Sequence, residues 1–193
     1  FSVDGKVTDI VEYKAEIDLS DEGKIKMLDA FTRLKPVDNV RLTIGQMRVP
    51  FTIDAHRSPH QQYFANRSFI AKQVGNVRDV GATVGYQTGG DMPVIVEAGM
   101  FNGSGLTNQK DFWTNNVNFS AKAQFFLPEG FNVTLSVQKI KPDHTGVVMY
   151  EGAFYHARGW HVETEYLLKH YAEDAFKDVH SVDAFVNYDI PLR

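Results

Sequence analysis

The sequence predicts an all-β fold, a transmembrane antiparallel up-and-down β-barrel, on the basis of three observations. Apolar and polar residues alternate in one segment after another. The predicted strands run to about ten residues, the length that a tilted strand needs to cross a bilayer. Short connections alternate with long ones, as they do between the two ends of such a barrel.

The clearest alternation lies on both sides of a short turn at Leu127–Gly130. Side chains alternate across a strand with period two, so residues 116–138 form a hairpin with one apolar and one polar face. Pro and Gly in the turn are typical of hairpin loops. The apolar face carries Val117, Phe119, Ala121, Ala123 and Phe125, then Phe131, Val133, Leu135 and Val137.

The same alternation predicts eight further strands, which brings the expected total to about ten. In chain order they cover residues 5–19, 24–34, 40–49, 78–87, 93–101, 147–157, 160–169 and 182–190. No segment shows a competing helical period.

Aromatic residues provide a separate check, because they ring the lipid face of a barrel at both membrane boundaries. We place the short turns 36–39, 88–92, 127–130 and 157–159 at the periplasmic end. The aromatic residues near these turns on the outward parity are Tyr86, Phe125, Phe131, Tyr155, Trp160 and Tyr188. A soluble β-sandwich or lipocalin-like barrel explains the alternation equally well, but explains the strand length and the one-sided aromatic residues poorly.

Composition limits the alternatives. The 193 residues suffice for one domain, and we interpret residues 1–193 as a single barrel domain. The absence of cysteine excludes a disulfide scaffold and a Cys-ligated metal site. A net charge of −4 without a basic stripe argues against nucleic acid as a partner. We expect no cofactor and no metal.

Residues 51–77 break the strand pattern and form a connection too long for an ordinary turn. Loops of this length are usually functional or disordered. The segment is locally basic, with Asp54 as its only acid. Its basic residues are His56, Arg57, His60, Arg67 and Lys72.

Five short motifs follow one another in a characteristic order. They are Leu28-Asp29-Ala30-Phe31, Leu42-Thr43-Ile44-Gly45-Gln46 leading to Val49-Pro50-Phe51, Asn66-Arg67-Ser68, Arg78-Asp79-Val80-Gly81 and Phe101-Asn102-Gly103. This order resembles the phosphate-selective porin O and P family, particularly its Bacteroidetes relatives. The resemblance implies a sixteen-stranded, homotrimeric outer-membrane channel, of which this chain is a central fragment, incomplete at both ends. It also implies that residues 51–77 fold into the pore and narrow it.

An anion channel replaces lost hydration with positive groups along its wall. Arginine suits phosphate because its planar fork pairs with two oxygens at once. The candidate pore-lining residues are Arg41, His56, Arg57, Arg67, Lys72, Arg78 and Lys122. As an alternative, wall arginines pair with acids such as Asp29 or Asp79 and brace the barrel, and Arg67 anchors the loop. Acids are abundant nearby and the loop has one lysine, so a general pore fits as well as a phosphate-selective one.

His161, Glu163 and Glu165 share one face of a strand and raise the question of a metal or acid–base site. We expect these side chains simply to meet water in the lumen. No nucleophile elbow, phosphate-cradling loop or paired metal motif occurs, so we predict no enzymatic activity.

The expected function is an outer-membrane porin of a Gram-negative bacterium, through which small hydrophilic solutes diffuse. Its partners are outer-membrane lipid and small solutes, with anions as candidates. The alternative is a barrel that conducts nothing and serves as a structural or partner subunit of an envelope complex. A soluble ligand-binding barrel comes third.

Overall fold

The computed structural model describes residues 1–21, 23–53, 78–102, 117–140, 145–157, 159–171 and 177–190. In it, eleven antiparallel strands form one sheet whose spatial order is the order of the sequence, which confirms the predicted up-and-down topology. The strands are β1 (Ser2–Thr8), β2 (Val11–Asp21), β3 (Lys24–Leu34), β4 (Val40–Arg48), β5 (Arg78–Gln87), β6 (Val94–Phe101), β7 (Asn118–Phe126), β8 (Asn132–Ile140), β9 (Thr145–Ala157), β10 (Trp160–Tyr171) and β11 (Val179–Tyr188).

Strands β1 and β11 are the edges of this sheet, and in the described residues they do not pair with each other. Over the same residues, the structure contains no helix with the length and apolarity needed to span a membrane.

The two faces of the sheet differ sharply in chemistry. On the outer face, apolar side chains such as Ile44, Val182 and Val186 are 51%, 68% and 61% exposed. On the inner face, polar side chains are buried, including Thr43, Thr83, Asn118, Ser120, Thr134, Ser136 and Gln138. A soluble barrel has the opposite arrangement, with apolar residues inside. The fold is therefore that of a transmembrane β-barrel sheet, with its apolar face directed at lipid.

The strand count corrects one prediction, because residues 5–19 form parts of two strands, not one. The chain turns at Asp9–Ile10, where Thr8 pairs with Val11. A two-residue turn alone would reverse the inside–outside alternation. A register shift between Lys6 and Thr8 reverses it again. The alternation therefore continues unbroken through the turn, which hides the turn in the sequence.

Four of the six aromatic residues predicted at the short-turn end lie on the outer face, as the alternation predicts. Tyr86, Phe131, Trp160 and Tyr188 are exposed on the outer face. The rings of Trp160 and Tyr188 are in contact, with centroids 4.7 Å apart. Phe125 is half-buried, and the side chain of Tyr155 lies outside the described ones. These rings mark one boundary of the apolar belt.

Strands β3 and β4 pair only over part of their length. Their register runs from the Leu34–Leu42 pair to the Ala30–Gln46 pair. Beyond that point, the Gln46 amide donates hydrogen bonds to the backbone carbonyls of Met27 (2.6 Å) and Leu28 (2.9 Å). A side chain thus continues the strand-to-strand bonding where the backbones separate, which explains why a glutamine on the outward parity is buried.

Candidate functional site

After β4 the chain turns onto the inner face of the sheet. Val49, Phe51 and Thr52 are almost completely buried there. Val49 and Phe51 pack in an apolar cluster with Met47, Phe101 and Leu167. We call residues Pro50–Ile53 the inner turn. Its apolar contacts lie inside a face that is otherwise polar.

Hydrogen bonds from β7, β8 and β10 hold the backbone of the inner turn. The donor and acceptor pairs are Ser120 Oγ to the Pro50 carbonyl (2.6 Å), Thr52 N–H to Ser136 Oγ (3.3 Å), Lys122 Nζ to the Thr52 carbonyl (3.4 Å) and Ile53 N–H to Glu165 Oε1 (3.3 Å). The inner turn therefore reaches strands that lie three, four and six positions away from β4 in the sheet.

This contact requires a curved sheet. In a flat sheet, six inter-strand spacings separate β4 from β10, which amounts to about 29 Å. The chain from Arg48 to Ile53 spans at most about 18 Å when fully extended. Even with the reach of the Glu165 side chain added, this is too short for a flat sheet. The polar face is accordingly the concave, inner one.

Thr52 has an unusual backbone conformation. Its φ is 64°, in the left-handed region that β-branched residues rarely occupy. Such a conformation costs about 1–3 kcal/mol and persists only where the surroundings enforce it. The surroundings here are the hydrogen bonds to both the N–H and the carbonyl of Thr52.

Where the chain returns to the sheet, four charged side chains form a closed ring. Arg78 Nε donates to Asp29 Oδ1 at 2.6 Å, and Lys14 Nζ donates to Asp29 Oδ2 at 2.8 Å. Lys14 Nζ also donates to Glu16 Oε2 at 2.6 Å, and Arg78 Nη2 lies 3.7 Å from Glu16 Oε1. The ring contains two bases and two acids, so its charges compensate one another.

A second group of basic residues lies on the inner face near the short turns. The Arg33 Nε donates to Thr43 Oγ1 at 3.3 Å, and Arg41 Nη2 donates to Gln87 Oε1 at 3.4 Å. Within the part of the chain that the structure describes, neither guanidinium forms an ion pair with a carboxylate. Lys35, by contrast, pairs with Glu12 at 2.6 Å.

A cavity of about 510 Å³ adjoins this group, lined by residues that include Asp9, Lys35, Asn39, Arg41 and Gln87. It opens between the β1–β2 turn, the β3–β4 turn and the end of β5. Asn39 has a left-handed φ of 66°, which asparagine tolerates well in turns. The basic group and the cavity together form the short-turn mouth of the inner face.

The structure places three of the seven predicted pore-lining residues on the inner face. Arg41 lies at the short-turn mouth, Arg78 lies in the charged ring, and Lys122 contacts the inner turn. These three belong to separate clusters. The other four fall outside the described residues, namely His56, Arg57, Arg67 and Lys72.

Arg33 was absent from the predicted set, although the sequence contains the signal for it. The parity that directs Ala30, Thr32 and Leu34 outward directs Arg33 inward. Arg78 matches the alternative role for wall arginines, in which they pair with acids such as Asp29 and brace the barrel.

The inward residues of β10 do not meet water as we expected. His161, Glu163 and Glu165 are 4%, 3% and 2% exposed. His161 Nε2 lies 3.2 Å from Glu163 Oε2, and its ring stacks on Phe185 at 5.4 Å. The inner turn covers Glu165 through the bond from Ile53. Among the described residues, no group of three or more His, Cys, Asp or Glu could hold a metal ion.

Comparison with known proteins adds one finding to this geometry. The family described as phosphate-selective porin O and P matches residues 1–149. No match was found among curated proteins or among solved structures.

Proposed function

Because this chain belongs to the phosphate-selective porin O and P family of bacterial outer-membrane porins, we propose that it forms a passive diffusion channel for small hydrophilic solutes, with a preference for anions. The polar inner face and the apolar outer face support this proposal, since a channel needs a wet wall inside and lipid contact outside. The family is one of channels, and we propose no catalytic role.

The preference for anions rests on Arg33 and Arg41. When a guanidinium is paired with a carboxylate, the two charges nearly cancel, and the pair has little effect on the electrostatic field in the passage. Among the described residues, these two guanidiniums hydrogen-bond only neutral groups. Glu12 lies directly opposite Arg33, and Asp9 and Asp38 line the same mouth, so these acids offset part of the positive charge, and the remainder acts on a passing anion. Lys122 and Arg78 add positive charge to the wall, but Arg78 is compensated by Asp29. We assign the selectivity mainly to the short-turn mouth.

We further propose that residues 51–77 are the pore-constriction loop and that His56, Arg57, Arg67 and Lys72 extend the basic path along it. Support comes from the first residues of this segment, Phe51 to Ile53, which lie on the inner face. We also propose a homotrimeric assembly, as the family implies. Chemical cross-linking in detergent, followed by mass determination, would show a species of three chains.

Conductance in planar bilayers tests the channel directly. We expect stable single-channel steps, and a reversal potential in a KCl gradient that favours chloride over potassium. A reversal potential that favours potassium would refute the anion preference and leave a channel. A protein that inserts but remains electrically silent would support the non-conducting structural subunit instead.

A further inference from the structure

We propose that Ser120, Ser136 and Glu165 are positioning residues of the pore, which hold the inner turn against the wall and so fix the width of the passage at that depth. The inference rests on the proposed channel function. It assigns a role to three residues that are not among the predicted pore-lining residues.

The first argument is the need of buried backbone groups for partners. The carbonyl of Pro50 and the N–H of Thr52 are buried, the N–H of Ile53 is partly buried, and all three lie outside any strand pairing. Buried backbone groups of this kind are almost always hydrogen-bonded, because losing water without a partner is costly. Side chains of the opposite wall supply the partners here. Without these side chains, the backbone groups of the inner turn would lack partners, and the inner turn would be less stable against the wall.

The second argument is that hydrogen bonds hold both backbone polar groups of Thr52. Lys122 on β7 and Ser136 on β8 are direct cross-strand partners. Lys122 binds the Thr52 carbonyl, and Ser136 accepts a hydrogen bond from the Thr52 N–H. One cross-strand pair therefore holds both polar groups of a single residue. This fixes the orientation of its peptide planes as well as its position.

The third argument is the strain at Thr52. A left-handed β-branched residue is unfavourable by itself, so the conformation has to be imposed by its contacts. The two bonds to Thr52 and the neighbouring bonds from Ser120 and Glu165 are the contacts that impose it. The inner turn is thus held by the wall.

The position of the inner turn can be tested without any measurement of transport. The chain contains no cysteine, so an introduced pair has no competing thiol. We expect the double variant Thr52→Cys/Ser136→Cys to form a disulfide on mild oxidation, detected by mass spectrometry, because Thr52 N and Ser136 Oγ are 3.3 Å apart. The control pair Thr52→Cys/Ser181→Cys, with its second site on β11, should remain reduced. Failure of the first pair to cross-link, or equal cross-linking of both, overturns the proposed contact.

Single-channel recording then tests the effect on width. We expect Ser136→Ala, Ser120→Ala and Glu165→Leu to raise the conductance, because each removes a bond that holds the inner turn. Glu165→Gln keeps an oxygen that can accept the bond from Ile53, so its conductance should stay close to that of the unmodified protein.

Two matched controls separate the bond from the chemistry of the substitution. Ser181→Ala removes a hydroxyl on β11, and Asp183→Asn removes a carboxylate charge directly opposite Glu165. Conductance in Glu165→Leu and Ser136→Ala no higher than in these controls overturns the inference while leaving the channel intact. A silent unmodified protein overturns the channel itself, and the role of the inner turn in it, whatever the cross-linking shows.

Discussion

Arg78 on β5 reaches across β4 to Asp29 on β3, where its Nε donates a hydrogen bond of 2.6 Å to the carboxylate. The contact lies next to the place where the β3 and β4 backbones cease to pair. It therefore bridges a gap in the sheet at the same point at which the chain rejoins the wall after residues 54–77. Both side chains are buried, and Lys14 binds the other oxygen of Asp29.

The first prediction follows from this ring of charges. Among the described residues, replacing Asp29 by Asn leaves only Glu16 to balance the buried Arg78 and the half-buried Lys14. Removing one partner of a buried ion pair is strongly destabilising, so we expect a loss of about 3 kcal/mol in the free energy of unfolding. Urea unfolding in lipid vesicles, followed by tryptophan fluorescence, measures it.

Glu12→Gln is the matched control, because it removes the acid of the more exposed pair with Lys35. Water screens that pair, so its loss should have a much smaller effect. Equal losses in the two variants would contradict the bracing role of Asp29. The double variant Asp29→Asn/Arg78→Gln should recover part of the lost stability, since it also removes the unpaired cation.

The second prediction tests the environment of the outer face. Ile44 lies in the middle of β4 on this face and is 51% exposed. In water, Ile44→Arg would cost little. At the centre of a bilayer, arginine on the lipid face of a barrel costs about 2–4 kcal/mol. We expect Ile44→Arg to lower the free energy of unfolding in vesicles by this amount.

Val37→Arg is the control. Val37 is 61% exposed in the β3–β4 turn, so this substitution should be tolerated. Equal tolerance of both would place the outer face in water.

The third prediction concerns two glycines of β5. A Cβ added to Gly81 would collide with the Met100 carbonyl oxygen and would lie 2.7 Å from Phe101 Cδ1. Neither backbone nor a buried ring can move away easily, so Gly81→Ala should destabilise the sheet by about 1–3 kcal/mol. At Gly85 the nearest atom would be 3.8 Å away, and Gly85→Ala should be close to neutral. Apparent melting temperatures in detergent compare the two. A neutral Gly81→Ala would contradict the close approach.

Much of the fold is readable from the sequence because the two sides of the sheet meet different solvents. Lipid outside and a polar interior force a period of two on each strand, as the exposed Ile44 and the buried Thr43 illustrate. The turn at Asp9–Ile10 escaped prediction because a register shift beside it restores the same period.

The inner turn could not be predicted from the residues themselves. Its bonds join positions 70, 84 and 112 residues apart, and each uses an ordinary serine, lysine or glutamate side chain. The alternation assigned Glu165 to the inner face, but could not show that a backbone N–H would cover it. Such contacts arise from the curvature of the whole sheet.

The fourth prediction concerns Arg33 and Arg41 at the short-turn mouth, which form no ion pair with a carboxylate among the described residues. Arg33→Gln and Arg41→Gln should each lower the ratio of chloride to potassium permeability, roughly twofold for one charge at a distance of several ångströms in screened water. The measurement is the reversal potential in a KCl gradient near 0.1 M. Lys139→Gln is the control, because this substitution removes the same formal charge at a different place. Lys139 is exposed on the outer face of β8, opposite Phe119.

Ionic strength distinguishes this electrostatic effect from a change of shape. The Debye length falls from about 10 Å at 0.1 M to about 3 Å at 1 M. If Arg33 and Arg41 act through their field, the difference between the variants and the unmodified protein should shrink as the salt rises. A difference that persists at 1 M would mean that the substitutions alter the dimensions of the mouth. An effect of Lys139→Gln as large as that of Arg41→Gln would mean that selectivity does not arise at the mouth.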